Sequence, residues 1–187
     1  MLVLLPLVAG VAAGLVTGGK LDHWAAVRLR WPALVIAALF VREAVALSPL
    51  GRIPELRFVY VAFLVVLIGW TLWHVPRVPG IWLIAAGALM NLVVIAANDF
   101  RMPVARAYAG GLVRVGQAGQ YAVMGPDTRL SWLGDWIGIA GGALGVYSLG
   151  DVVIAVGVGV ASFAITRFPG SATKLDDPTP GSESGRE

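Results

Sequence analysis

Five polar residues between positions 98 and 151 have side chains that could bind a small ligand. They are Asn98, Arg101, Arg129, Asp135 and Asp151. Carboxylates, guanidinium groups and an amide offer donors and acceptors to a polar head group or a small anion, and a helix N-terminus attracts anions. This segment lies between two apolar runs. The first run ends at the same predicted membrane face at which the second begins. Because charged groups near lipid find partners, we expect the five residues to form one cluster there.

A purely structural role is the competing interpretation of the same residues. Ser148 and Asp151 have the spacing of a capping box directly before an apolar run, and in that case Asp151 serves to start a helix. Arg129 and Asp135 are close in sequence, so we expect them to form an ion pair that holds the loop in place. The sequence alone leaves both interpretations open.

Three further polar residues lie inside apolar runs. Arg42 and Glu43 stand near the end of the apolar run 32–48, the second of five, and Asn91 stands in the middle of the fourth run, 80–97. A charge at the centre of a bilayer costs about 2.5–3.5 kcal/mol on insertion scales. Adjacent helix positions point about 100° apart, so Arg42 and Glu43 each need a partner on another helix. Arg42 and Glu43 therefore indicate either a buried ion pair or a polar path through the membrane. For Asn91 we predict a hydrogen bond to a neighbouring helix.

Several classes of chemistry are excluded by what the sequence lacks. It contains no phosphate-binding loop, no nucleophile elbow and no Cys. His23 and His74 fall on one predicted face, but these two imidazoles beside Asp22 are too few for a metal centre, so we expect no metal and no cofactor. The 14 Lys and Arg residues are scattered along the chain, which argues against nucleic acid as a partner.

Long apolar runs must position these residues. Hydrophobic residues make up 58% of the 187 residues and charged residues only 13%, whereas a soluble domain carries about 25% charged residues. A helix of roughly 18 residues covers about 27 Å, close to the thickness of the bilayer core. We therefore predict an all-α polytopic membrane protein with about five transmembrane helices and one interfacial helix. The predicted crossings are residues 1–19, 32–48, 58–75, 80–97 and 152–166.

The segment 98–151 is predicted to lie at the membrane surface. Pro103 is placed to start an amphipathic interfacial helix, with Arg106 and Arg114 on its polar side. The stretch from Trp136 to Tyr147 is apolar but short and Gly-rich, which is typical of an interfacial or re-entrant segment. These parts complete a transmembrane domain of residues 1–168, and residues 169–187, rich in Pro, Gly, Ser and acidic residues, predict a disordered tail.

Glycine spacing and positive charge predict the packing and the orientation of the first helix. Gly10, Gly14 and Gly18 are four residues apart, so they share a helix face that another helix can approach closely. A short cluster of positive residues follows this uncharged run: Lys20, Arg28 and Arg30. The positive-inside rule then places the N-terminus outside and the C-terminus in the cytoplasm, in a multi-pass protein of the inner (plasma) membrane.

Three short blocks resemble a family of small bacterial integral membrane proteins known only as a domain of unknown function. The first block consists of Asn91, Asn98, Arg101, Met102, Pro103 and Val104. The second is Thr128-Arg129-Leu130 with Trp132-Leu133-Gly134-Asp135, and the third is Ser148-Leu149-Gly150-Asp151. The chain departs from the pattern at Asp99-Phe100, where a small pair containing Gly is expected, so the turn there should differ. The resemblance covers most of residues 1–168 and implies that the blocks belong together, but it implies no activity.

The sequence leads to one principal functional hypothesis and two alternatives. The principal one is a non-enzymatic membrane component that binds a lipid-like or small polar ligand, or an assembly partner, at the face of the 98–151 loop. The first alternative is a small transporter or channel subunit, with Arg42, Glu43 and Asn91 along its path. The second is a membrane enzyme that acts on a lipid head group through Asp135 and Asp151. Expected partners are membrane lipids, with a protein partner or a second copy of the chain as a further option.

Overall fold

The computed structural model describes residues 2–25, 27, 31, 33, 34, 37, 38, 40, 41, 53, 55–76, 78–110 and 117–168. The helices with defined bounds are α1 (Leu4–Val16), α2 (Asp22–Ala25), α3 (Leu56–His74), α4 (Ile81–Ala97) and α5 (Leu149–Arg167). The strands are β1 (Met102–Val104), β2 (Gln117–Ala118), β3 (Tyr121–Val123), β4 (Ile137–Gly138) and β5 (Val146–Tyr147). The first three form a sheet in the order β1-β3-β2, and β4 pairs with β5. The fold is therefore mostly helical, but the strands show that it is not all-α.

Helices α1 and α5 lie side by side and run in the same direction. Gly10 and Gly14 are buried, and a Cβ atom at Gly14 would stand 2.5 Å from the Thr166 Cβ of α5. The predicted close-packed face is thus confirmed for these two residues, and it packs within one chain. The prediction is wrong for Gly18, because α1 ends at Val16 and an added Cβ atom at Gly18 would meet no described atom within 4 Å.

Helix α4 runs antiparallel to α5 and lies between α5 and α3. Its Gly87 abuts Gly150 and Ile154 near the start of α5, and Gly80, just before α4, abuts Val160 further along α5. This order places the starts of α1, α3 and α5, the end of α4 and the described residues of the 98–148 segment at one end of the bundle, called here the loop face. The four helix ends at the loop face provide the frame on which polar residues can converge.

Among the described residues, two helices are long and apolar enough to cross a membrane, within Arg57–His74 and Leu149–Arg167. The predicted five crossings are not reproduced, because the helices in the first and fourth runs are 13 and 17 residues long. At 1.5 Å per residue, 13 residues cover only about 20 Å, less than the roughly 30 Å of a bilayer core. Two such helices indicate membrane association, and most of the run 32–48 lies outside the described residues.

The loop face carries small sheets where helical segments were predicted. Pro103 lies within β1, whose three residues are all buried, and β1 pairs in parallel with β3. An interfacial helix would instead expose a polar side, so that prediction is wrong for residues 103–110, where only Arg106–Tyr108 forms a short 3-10 turn. The stretch from Trp136 to Tyr147 is a β4–β5 hairpin rather than a re-entrant segment. Residues 139–145 connect its strands through a short 3-10 segment, and glycines take the left-handed backbone at positions 141, 142 and 145.

Three other predictions fall on residues that the structure does not describe. They are the pair Arg42 and Glu43, the part of the predicted interfacial helix that includes Arg114, and the tail from residue 169 onward.

Candidate functional site

Asn98 and Arg101 anchor the loop face to the helices. The Asn98 side chain donates to the Arg129 carbonyl at 2.7 Å and accepts from the Arg129 N–H at 2.9 Å. Arg101 is buried and donates to the Gly119 carbonyl at 3.2 Å and to the Asp99 carboxylate at 3.0 Å. Arg57 of α3 donates to the same Asp99 oxygen at 3.2 Å. These residues use their polar groups to join α3, α4 and the loop.

The pair Asp99-Phe100 adopts the backbone conformation that glycine favours. Both residues have positive φ angles, 57° and 58°, a conformation that costs glycine least, so the small Gly-containing pair expected from the resemblance would suit this turn. Here the conformation is supported by side chains instead. Asp99 forms ion pairs with Arg57 and Arg101, and the Phe100 ring lies 5.3 Å from the Phe58 ring. Contacts to α3 therefore offset the cost of left-handed backbone in this turn.

A second polar group joins α4 to the start of α5. Ser148 and Asp151 form the capping box expected from their spacing, each side chain accepting a 3.0 Å hydrogen bond from the other's N–H. Asn91 donates to the second Asp151 oxygen at 2.9 Å and accepts from the Ser148 hydroxyl at 2.7 Å. Asn91 thus forms the interhelical hydrogen bonds predicted for it, and both Asp151 oxygens have protein partners.

Asp135 differs from every other carboxylate at the loop face. Its main chain is fixed to β1, since its N–H donates to the Pro103 carbonyl and its carbonyl accepts from the Ala105 N–H, both at 2.8 Å. Its side chain is buried, with 8% of the residue surface exposed, and its Oδ1 has no hydrogen-bond partner among the described residues. Burial, and to a smaller extent the Asp151 carboxylate, raises the pKa of Asp135 from 3.8 to about 8. At neutral pH this carboxyl group therefore holds a proton.

The side chains of Asp135 and Asp151 face one pocket of about 280 Å³, called here the Asp135 pocket. Its other polar lining residues are Tyr60 of α3, Asn91 of α4, Tyr121 of β3 and Tyr147 of β5. Apolar residues complete it, among them Val146, Ile154 and the Leu2-Val3 segment before α1. Polar groups from three helices, two strands and the Asp135 segment thus converge in a cavity completed by apolar residues, which is typical of a ligand site.

The raised pKa of Asp135 predicts a pH-dependent stability. Between about pH 4 and pH 8 the folded protein holds a proton that the unfolded chain has released, so the free energy of unfolding should fall as pH rises. The fall should approach about 1.4 kcal/mol per pH unit. We expect the melting temperature to drop from pH 5 to pH 7, and Asp135→Asn to flatten this dependence and raise the value at pH 7. Asp127→Asn, an exposed control, should keep the wild-type slope; equal slopes in all three proteins would refute the assignment.

The five predicted site residues form two groups rather than one cluster. Asn98, Arg101 and the Arg129 main chain belong to the group around Asp99, and Asp135 and Asp151 share the Asp135 pocket. The predicted ion pair between Arg129 and Asp135 is not formed, because the Arg129 side chain is exposed while that of Asp135 is buried. No set of three His, Cys, Asp or Glu side chains that could hold a metal occurs in the described part of the chain.

Sequence reasoning missed the aromatic residues of the pocket. Tyr60, Tyr121 and Tyr147 come from three separate elements, and no local spacing links them. One signal was available: Gly87 and Asn91 are four residues apart, and Gly150 is adjacent to Asp151. When each of two helices carries a small residue close to a polar one, the two helices can approach closely and form a hydrogen bond with each other.

Comparison with known proteins supplies a family but no function. No curated protein and no solved structure matches the chain. The model of a family of unknown function, DUF5317, matches residues 26–163. This range includes all three blocks of the resemblance, the helices α3 and α4, and α5 up to residue 163. The chain therefore belongs to the DUF5317 family.

Proposed function

We propose that this protein is a membrane-embedded binding protein that holds a small polar ligand in the Asp135 pocket at the loop face. One observation carries the proposal: a buried carboxyl oxygen of Asp135 has no partner in the described protein and lines a cavity. An unsatisfied buried acceptor costs about 1–3 kcal/mol. A ligand that donates a hydrogen bond would remove this cost, which is why such a group is a functional candidate.

The outer surface of the bundle supports the membrane part of the proposal. Large apolar side chains face outward on all four long helices, for example Leu5, Trp73, Leu89 and Val156. Exposure of large apolar side chains on each of these helices is unusual for a soluble monomer, which keeps its exposed apolar patches small. We propose that lipid covers these side chains and that α3 and α5 cross the bilayer, with the shorter helices α1 and α4 accommodated by local thinning or flanking residues.

The proposed topology places the loop face outside and the α2 end of the bundle in the cytoplasm. Since the chain has no Cys, the labelling of a variant with a single Cys shows directly on which side of the membrane that residue lies. We expect Asp127→Cys, exposed at the loop face, to react with a membrane-impermeant maleimide in intact cells. Asp22→Cys, exposed at the other end, should react only after the cells are opened. The reverse pattern would invert the orientation, and labelling of both in intact cells would refute the crossings.

Native mass spectrometry of the full chain, released from mild detergent, tests ligand binding. We expect the wild type to carry a small bound molecule that Val146→Phe, which fills the Asp135 pocket, has lost. Val156→Phe is the matched control, because it makes the same change at a half-exposed site on α5 outside the pocket. Identical adducts in the wild type and both variants would contradict the proposal.

An enzyme acting on a lipid head group is the second candidate. The observation that favours it is the pair of carboxyl groups in one pocket, of which Asp135 is protonated near neutral pH, as a general acid must be. Both oxygens of Asp151 accept protein hydrogen bonds, which disfavours Asp151 as a nucleophile or base. The test is whether the wild type releases head groups from phospholipid vesicles. Release that is abolished in Asp135→Asn would establish that the protein is an enzyme rather than a binding protein.

A further inference from the structure

Resting on the function proposed above, we propose that the Asp135 pocket takes the primary ammonium group of an amine and that Asp135 releases its proton when the amine binds. In chemical terms, the R–NH₃⁺ group replaces the carboxyl proton as the partner of the Asp135 oxygen. That proton leaves to solvent, and the ammonium group keeps all of its own hydrogens. The amine can be a free small molecule or the ethanolamine head group of a lipid.

The charge of the Asp135 pocket selects a cation. Two carboxyl groups line it, and none of the described residues that line it is Lys or Arg. Arg101, which is adjacent in sequence to the lining residue Met102, already donates to Asp99 and Gly119, and the Arg129 side chain is exposed. A phosphate or carboxylate ligand would therefore meet two acidic groups with no compensating positive charge, whereas a cation would relieve their mutual repulsion.

The donor and acceptor pattern selects an N–H cation over a metal ion. A calcium ion takes six to eight oxygen ligands, and magnesium takes six in strict octahedral geometry. Both Asp151 oxygens are engaged by Asn91 and Ser148, which leaves the Asp135 carboxyl as the main acceptor. One carboxylate oxygen suits an ammonium donor, and the electron-rich ring faces of tyrosines attract the same cation. Tyr60, Tyr121 and Tyr147 all line the pocket.

The size and position of the pocket fit a short amine or a head group. About 280 Å³ lies at the small end of ligand cavities, so the site has room for a head group but not for acyl chains. Its Leu2-Val3 side adjoins the start of α1, whose outward face is apolar and exposed. In the proposed topology this side meets the lipid head-group layer.

Release of the Asp135 proton makes binding depend on pH with a defined sign. The titratable residues that line the pocket with Asp135 are Asp151 of α5, Tyr60 of α3, Tyr121 of β3 and Tyr147 of β5, and the Tyr147 hydroxyl donates to the Leu144 carbonyl. Below its pKa of about 8, Asp135 must lose one proton for each cation bound. The association constant should then rise about tenfold per pH unit up to pH 8 and level off above it.

Calorimetric titration of the full chain in detergent with ethylammonium chloride tests the proposal. Ethylammonium keeps its charge over the whole range, as an alkylamine titrates near pH 10.4. From pH 6 to pH 7 we expect roughly tenfold tighter binding. Asp135→Asn should bind at least about tenfold more weakly at pH 8 and show no pH dependence. Asp127→Asn should match the wild type, and tetramethylammonium, which has no N–H, should bind more weakly than ethylammonium.

The outcomes separate this proposal from the function on which it rests. Binding of ethylammonium that is independent of pH, or unchanged in Asp135→Asn, overturns the ammonium assignment. If the adduct sensitive to Val146→Phe persists in native mass spectra, the binding function survives that failure. If it too is absent, both proposals fall. If nanodiscs of phosphatidylethanolamine compete with ethylammonium and those of phosphatidylcholine do not, the lipid is supported as the source of the ammonium group. Equal effects of the two kinds of nanodisc would support a free amine as the ligand.

Discussion

Replacing Gly10 with alanine is expected to destabilise the protein by about 1–3 kcal/mol, the usual cost of overpacking a close contact. The added Cβ atom would collide with the main-chain carbonyl of Gly159. Because the obstacle is backbone rather than a flexible side chain, α1 and α5 must separate to accommodate the methyl group. The measurement is the melting temperature of the purified full chain in detergent.

Gly69→Ala is the matched control for this prediction. Gly69 also lies inside a long helix, but no described atom stands within 4 Å of its added Cβ. There the substitution should be neutral or stabilising by about 0.5–1 kcal/mol, since alanine favours the helix more than glycine does. Similar shifts in the two variants would mean that the effect arises from helix propensity and that the α1–α5 contact is not close-packed.

The helices were predictable from sequence because each depends on a local pattern. Apolar runs placed α3, α4 and α5 within a few residues, and the spacing of Ser148 and Asp151 located the start of α5. Gly10 and Gly14 revealed the face of α1 that packs, because a stripe of small residues has meaning within a single helix. Their partner on α5 was not predictable, since the sequence of one helix does not show which neighbour it meets.

The loop face was predicted poorly because its order comes from distant contacts. β1 pairs in parallel with β3 and also forms a bridge between Val104 and Asp135. Short strands of two or three residues carry little periodicity, so the helical spacing of Val104, Ala107 and Tyr108 dominated the sequence pattern. The same tertiary pairing buries Asp135, which is why its missing partner and its raised pKa could not be inferred from neighbours in sequence.

The sequence did identify the polar residues that matter at this face, but it assigned them the wrong partners. Proximity along the chain suggested Arg129 for Asp135. The structure instead uses the Arg129 main chain to bind Asn98 and places Asp135 opposite Asp151. Two like charges that share a pocket are costly, so natural folds tolerate them mainly where a ligand or a proton restores the balance.

Loss of the Asn91 side chain is expected to have the second large effect on stability. Asn91→Leu removes the donor to Asp151 and the acceptor of Ser148, and it leaves the buried Ser148 hydroxyl and the half-buried Asp151 carboxylate without these partners. Each unsatisfied partner costs about 1–3 kcal/mol, so a destabilisation on the order of 2–4 kcal/mol should appear as a lower melting temperature. Asn98→Leu is the matched control, since the Asn98 amide bonds main-chain atoms near the surface, where water can replace it.

A double-mutant cycle separates the network from simple loss of packing. Asn91→Ala and Ser148→Ala should be non-additive by about 0.5–3 kcal/mol, because each removes the partner of the other. Asn91→Ala and Asn98→Ala share no hydrogen bond, so their effects should add within about 0.5 kcal/mol. If the first pair is also additive, the hydrogen bond between Asn91 and Ser148 contributes nothing to stability. The close approach of α4 and α5 at Gly87 and Gly150 would then hold Asp151 in the Asp135 pocket without help from Asn91.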